Sequence, residues 1–196
     1  VRKIKVKLHH KQEIFVHNNL ANTAFYFRQR IAERLAKDDR EGVGLEMTAC
    51  LIIIAFAMEA HVNFFGWKLA PTKWDERDQI KAKIKIVAKH VGLKVDFGKR
   101  PYKTVKDLKA LRDQLAHGKP EIITRKEDEL ITTHEELEAL PFQQASWEKY
   151  VTKDFLDQAF DDMNAIWNDM LAASGLEVFD AVTKGDRSIQ YIGEGI

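Results

Sequence analysis

An arginine and a histidine share the stretch LKALRDQLAHGKP, residues 108 to 120: Arg112 and His117, with Asp113 between them and Gly118 and Pro120 behind. These residue types suit phosphodiester chemistry. A guanidinium can hold phosphate oxygens through two parallel hydrogen bonds. Histidine is the side chain whose ordinary titration lies nearest physiological pH, so it can take or give a proton during cleavage. The same letters also make an ordinary helix end, because a histidine in the last turn complements the helix dipole and a following glycine accepts the left-handed conformation.

The elements that position these groups decide between the two readings. On an ideal helical wheel with Leu108 at zero, Leu111 falls at about −60°, Leu115 at about −20° and Arg112 at about +40°. Arg112 therefore flanks the apolar stripe, where its stem packs and its head emerges. Asp113 and His117 fall at about 140° and 180°, an i, i+4 pair on another side. Arg112 and His117 thus point about 140° apart, so a joint site needs Arg112 to wrap round, the last turn to distort, or a second subunit to supply the missing half. The spacing predicts that this helix opens at Thr104, with Asp107 completing a variant capping box, and ends at Gly118.

Glu59 is a second residue with chemical potential. It sits in the most apolar helix of the chain, residues 45 to 67, on a stripe with Ile52, Phe56 and Asn63. A carboxylate in such surroundings needs a partner. That partner is either a structural lysine or arginine, or Arg112 itself, whose guanidinium Glu59 would then fix.

Three further helices complete the expected framework. Residues 12 to 39 carry Leu20, Ala24, Phe27, Ile31 and Leu35 at helical spacing; a third helix runs from a Thr72 cap to about Val91; and residues 146 to 173 form the last. A small hairpin is expected over 121 to 133, and the alternating tail RSIQYIGEGI could pair with KIKVKL at the other end. Asp161 and Asp162 read as the solvated side of the last helix. The whole is one domain over 1–196, an all-α bundle of about five helices spanning 12–173, with strand additions after the fourth helix and at the termini.

The chain is nearly neutral, +1 over 196 residues, but its charge is segregated. Residues 81 to 126 carry 14 Lys and Arg against 4 acids, whereas residues 127 to 196 carry 4 against 16. The two zones either pair within the fold or form separate faces. The Arg112–His117 stretch lies in the basic zone, where Arg100, Lys106, Lys109 and Lys119 could attract an RNA backbone. Cys50, the single cysteine, lies in an apolar run, which suits a core position and a cytoplasmic setting. The run ACLIIIAFAM is short and ends in polar residues, so no membrane association is expected. Neither a zinc spacing nor a phosphate-binding glycine loop occurs, so no metal or cofactor is called for.

Arg112, the polar Asp113, three residues, then His117 and Gly118 at the end of a helix in an all-α bundle resembles the R-x4-H signature of the HEPN superfamily. The resemblance covers about residues 12 to 173, but its specific content is RDQLAHG. It implies a compact dimeric bundle and a metal-independent endoribonuclease, in a toxin–antitoxin or phage-defence setting with an antitoxin or defence partner. It implies Arg112, His117 and Asp113 as the catalytic group, with Asp113 orienting the imidazole or fixing the arginine; Glu59 joins them, on its own apolar surroundings, as the carboxylate that could fix Arg112. The superfamily also contains non-catalytic bundles that serve in dimerisation or nucleotide sensing, and that is the alternative.

Overall fold

The computed structural model describes residues 3–124, 129, 131–140 and 143–195. The three- and four-residue spacing of Ala24, Phe27 and Ile31 does wind a helix, α1, but over Val16–Ala36 rather than 12–39. The missing N-terminal turn is strand: β1, Ile4–Glu13, is hydrogen-bonded to another part of the chain. α2, Val43–Leu69, is the axis of the molecule, and α1 and the later helices Ile80–Val91, Tyr102–His117 and Lys153–Ser174 all pack on it. Its length and apolarity would suffice to cross a membrane, but here it is the core helix, with Cys50, Leu51, Ile54, Val62 and Phe65 buried among its neighbours. Cys50 is in that core, as its apolar context indicated.

α3 is shorter than the sequence suggests, Ile80–Val91. Thr72 does not cap it. Pro71–Lys73 forms a 3-10 turn, and the Asp75 side chain accepts from the Arg77 N–H, holding residues 75–78 in a separate turn. Trp74 then folds back against Gly66 of α2, so closely that a Cβ at 66 would come within 2.1 Å of the indole. Glycine is required there by proximity rather than by backbone conformation.

α4, Tyr102–His117, begins two residues before Thr104, and Thr104 is not its cap. The threonine hydroxyl is buried and donates instead to Asp162, at 2.5 Å. α4 ends as its sequence requires: His117 is the last helical residue, and Gly118, at φ 52°, donates its N–H to the Gln114 carbonyl. Next comes a short helix, α5, His134–Glu138, opened by a Thr133–Glu136 capping box. The hairpin expected over 121 to 133 falls partly outside the described residues, and the described residues of that stretch carry no strand. α6 spans Lys153–Ser174, not 146 to 173, because Thr152 caps it by accepting from the Phe155 N–H.

After α6 a 3-10 turn, Val178–Ala181, leads into β2, Lys184–Glu194. β2 pairs antiparallel with β1 from Ile4↔Glu194 to Glu13↔Lys184, with one bulge beside Lys5 and Val6. The expected pairing of the two chain ends is therefore present as a two-stranded sheet. Its base is fastened to the bundle: His17 Nε2 donates to the Ala181 carbonyl at 3.0 Å, Asn18 donates to the same oxygen, and the Phe15 N–H donates to Thr183 Oγ1. Beneath lies an aromatic cluster in which His61 sits 4.6 Å from the Trp167 ring, joining α2 to α6. The fold is thus a helical bundle carrying a terminal β-ribbon.

Candidate functional site

α4 lies on α2 through Val105, Leu108 and Leu111, each all but fully buried. Burying three such side chains contributes on the order of 6 kcal/mol before entropic costs, enough to hold the helix in one rotational setting. That setting turns the next residue, Arg112, toward α2. Its Nη1 donates to Glu59 Oε2 at 2.6 Å, and its Nη2 donates to Asp113 Oδ1 at 3.0 Å. Asp113 accepts in addition from Lys109, one turn earlier. Glu59, through its other oxygen, accepts from Lys83 Nζ of α3 at 2.9 Å. Two carboxylates and three cations thus form one chain of contacts across α2, α3 and α4.

Burial is graded along that chain. The Lys83 side chain is fully buried, while Glu59 and Arg112 each keep about a quarter of their surface, at 26% and 27%. Partial burial on its own would lower the Arg112 pKa. The Asp113 hydrogen bond and the Glu59 charge outweigh it, so the guanidinium titrates above its ordinary range. The Lys109 hydrogen bond, helped by Arg112, holds the Asp113 carboxyl below the usual carboxylate range. Arg112 is a fixed cation with an exposed part, set in a group that carries one more positive charge than negative.

His117 stands apart from this network. It is exposed at the end of α4, and Asp113 is turned away to Lys109 and Arg112. Of the two roles considered for Asp113, the contacts are those of fixing the arginine. The crevice beside Arg112, lined by Glu59, Ile80, Leu108 and Lys109 among others, has a volume of about 10 Å3, room for about one water molecule. A nucleotide does not fit inside it, so any substrate must lie across the surface of α4 or between two such surfaces.

The four basic residues expected to attract RNA are placed differently from one another. Lys106 and Lys119 are exposed. Lys109 is engaged by Asp113. Arg100 is held by Asp162, which accepts from its Nε and Nη2 at 2.9–3.0 Å. Asp162 is buried rather than solvated, a correction to the reading of α6, and it ties the basic zone to the acidic one. Asp161 is the exposed member of that pair, 3.4 Å from Arg28.

The residue that sequence reasoning passed over is Lys83. Its signal was present: Ile80, Lys83, Ile84 and Val87 form one helical stripe, and a lysine on an apolar stripe needs a buried counter-charge. No protein-family model matches the chain, and comparison with curated proteins and with solved structures gives no match.

Proposed function

We propose that this chain is a HEPN-like, metal-independent endoribonuclease that works as a homodimer. The observation that carries the reading is Arg112 itself. Its guanidinium is part-exposed, oriented by two carboxylates from different elements, and placed on the same short helix as an exposed histidine. That is the arrangement a phosphate clamp needs, since the cation is aimed and charged before substrate arrives.

In the reaction the 2′-hydroxyl of RNA gives up its proton and its oxygen attacks the adjacent phosphorus. The P–O5′ bond breaks, and the departing oxygen receives a proton, leaving a cyclic phosphate and a 5′-hydroxyl. His117 supplies the base or the acid, and Arg112 carries the charge that builds on the phosphorane. Because the two side chains leave α4 on different sides, His117 of one copy works beside Arg112 of the other. Lys106 and Lys119 attract the backbone. Such an activity fits a toxin or a phage-defence nuclease with a protein partner.

The competing reading is a non-catalytic HEPN-like module, favoured by the two intrachain ion pairs of Arg112. Incubation of RNA with the protein in EDTA separates the two. The nuclease reading expects cleavage by the wild type and losses of ~100-fold or more in Arg112→Ala and His117→Ala. Equal behaviour of wild type and His117→Ala would sink it.

A further inference from the structure

Where the base of the ribbon crosses the end of α2, the chain forms a cavity of about 560 Å3, within the range of small-molecule pockets. Ala60, Asn63, Phe64 and Trp67 recur at three- and four-residue spacing, so α2 turns one stripe toward it. Phe15, just before α1, completes an aromatic wall: its ring lies 5.3 Å from that of Phe64 and 6.2 Å from that of Trp67. Trp67 keeps half of its surface exposed there. Glu13, the last residue of β1, and Glu76, in the turn after α2, bring negative charge to the lining.

The polar groups of this cavity are acceptors that lack donors. Glu13 Oε2 and Asn63 Oδ1 are buried and have no hydrogen-bond partner among the described residues. Neither Glu13 nor Glu76 enters an ion pair among those residues, and no lysine or arginine lines the cavity. The part-buried Glu59, by contrast, takes two cations. Lys184, opposite Glu13 in the ladder, turns its ammonium over the Phe179 ring instead. A buried acceptor without a donor carries a desolvation cost, which a donor from outside the chain would remove.

We propose that the cavity binds a primary organic ammonium with an apolar body. The N–H groups of such a ligand supply what Glu13 Oε2 and Asn63 Oδ1 lack, and the bond to the carboxylate is charge-assisted. Its charge is balanced by Glu13 and Glu76 and favoured by the C-terminal end of α2, whose last turn holds Trp67. Its body lies against the three rings, whose faces favour a cation. Two of those rings already draw an ammonium: Lys68 Nζ, without lining the cavity, stands 5.4 Å from the Phe15 centroid and 5.1 Å from that of Trp67. The same two carboxylates repel a phosphate, so this is no extension of an RNA surface. The site uses neither Arg112 nor His117 and stands whether or not the chain cuts RNA.

Isothermal titration calorimetry of the full chain with 2-phenylethylammonium tests it at about pH 7, where the amine is protonated. The uncharged twin, 2-phenylethanol, is titrated in parallel. The cation is expected to bind with a dissociation constant on the order of 0.1 to 1 mM, as suits so small a ligand. The alcohol should bind ~10-fold more weakly or not at all. Glu13→Gln is expected to weaken the cation by ~10-fold or more and to leave the melting temperature unchanged, because Oε2 has no hydrogen bond to lose. Trp67→Ala should weaken it by about 10-fold. Absence of binding up to about 10 mM cation would overturn the proposal. So would equal binding of the alcohol, or a Glu13→Gln protein that binds like wild type or melts well below it.

Discussion

Glu59 and Arg112 are 53 residues apart in sequence and 2.6 Å apart in space. The contact joins the most apolar helix to the helix that carries the histidine. On the far side of Glu59, Lys83, a lysine with no exposed surface, donates to that same carboxylate.

Removing Glu59 therefore strands a buried charge. Glu59→Ala is expected to lower unfolding free energy by about 3 kcal/mol, the usual cost of breaking a buried pair from one side. Lys83→Met should cost less than about 1 kcal/mol, since Glu59 keeps Arg112 and water. The double variant should recover most of the loss. Denaturant melts of the three proteins check this, and a Lys83→Met as damaging as Glu59→Ala contradicts it.

Arg112→Lys keeps the charge and loses the planar fork. If Arg112 holds phosphate, the rate of RNA cleavage should fall by ~100-fold while stability changes by less than about 1 kcal/mol. A lysine variant that cleaves at the wild-type rate would show that a point charge suffices.

Arg100 lies in the basic zone, but its guanidinium is held by Asp162. Arg100→Ala should lower the melting temperature without weakening RNA binding, because it takes the cation from a buried carboxylate that keeps the Thr104 hydroxyl. Lys106→Ala should do the reverse, sparing stability and reducing the salt dependence of RNA binding. Paired melting and binding curves distinguish the two roles.

Burial pushes the His61 ring down to about 3 from its usual 6.5, and the neighbouring His17 adds to the effect. An unfolded chain takes a proton at this ring below about 6.5, and the folded chain does not until about 3. Stability from this group is complete above that window and is lost as pH falls through it, on the order of a few kcal/mol in all. His61→Phe keeps the ring contact with Trp167 and should flatten the decline in melting temperature between pH 7 and pH 4, roughly the window such a shift opens.

Gly66→Ala should destabilise by about 3 kcal/mol, because the indole of Trp74 occupies the place of the new methyl and must leave its pocket. Trp74→Ala combined with Gly66→Ala should then cost little more than Trp74→Ala alone, as thermal melts would show.

Much of the framework was legible in the sequence because it rests on local pattern. The leucine stripe of α4, its stop at Gly118 and the pairing of the alternating chain ends all follow from spacing. Glu59 was flagged by its apolar surroundings, and its two possible partners, a lysine and Arg112, turn out to be present together. What escaped were polar groups whose partners are remote. A helical wheel assigns Asp162 to solvent, and only the approach of Arg100 and Thr104, about 60 residues earlier, makes its burial affordable. Thr104 is no cap because α4 already starts at Tyr102, and its hydroxyl donates to Asp162 and accepts from Gln158 across the bundle. Lys83 belongs to the same class: its place on an apolar stripe is local pattern, but its counter-charge, Glu59, lies on another helix.

The arrangement around Arg112 also bears on how the arginine could be released. Glu59 retains Lys83, and Asp113 retains Lys109. A phosphate that drew the guanidinium away would leave neither carboxylate without a cation. The two lysines act as reserve counter-ions, so Arg112 can change partners without stranding a negative charge inside the protein.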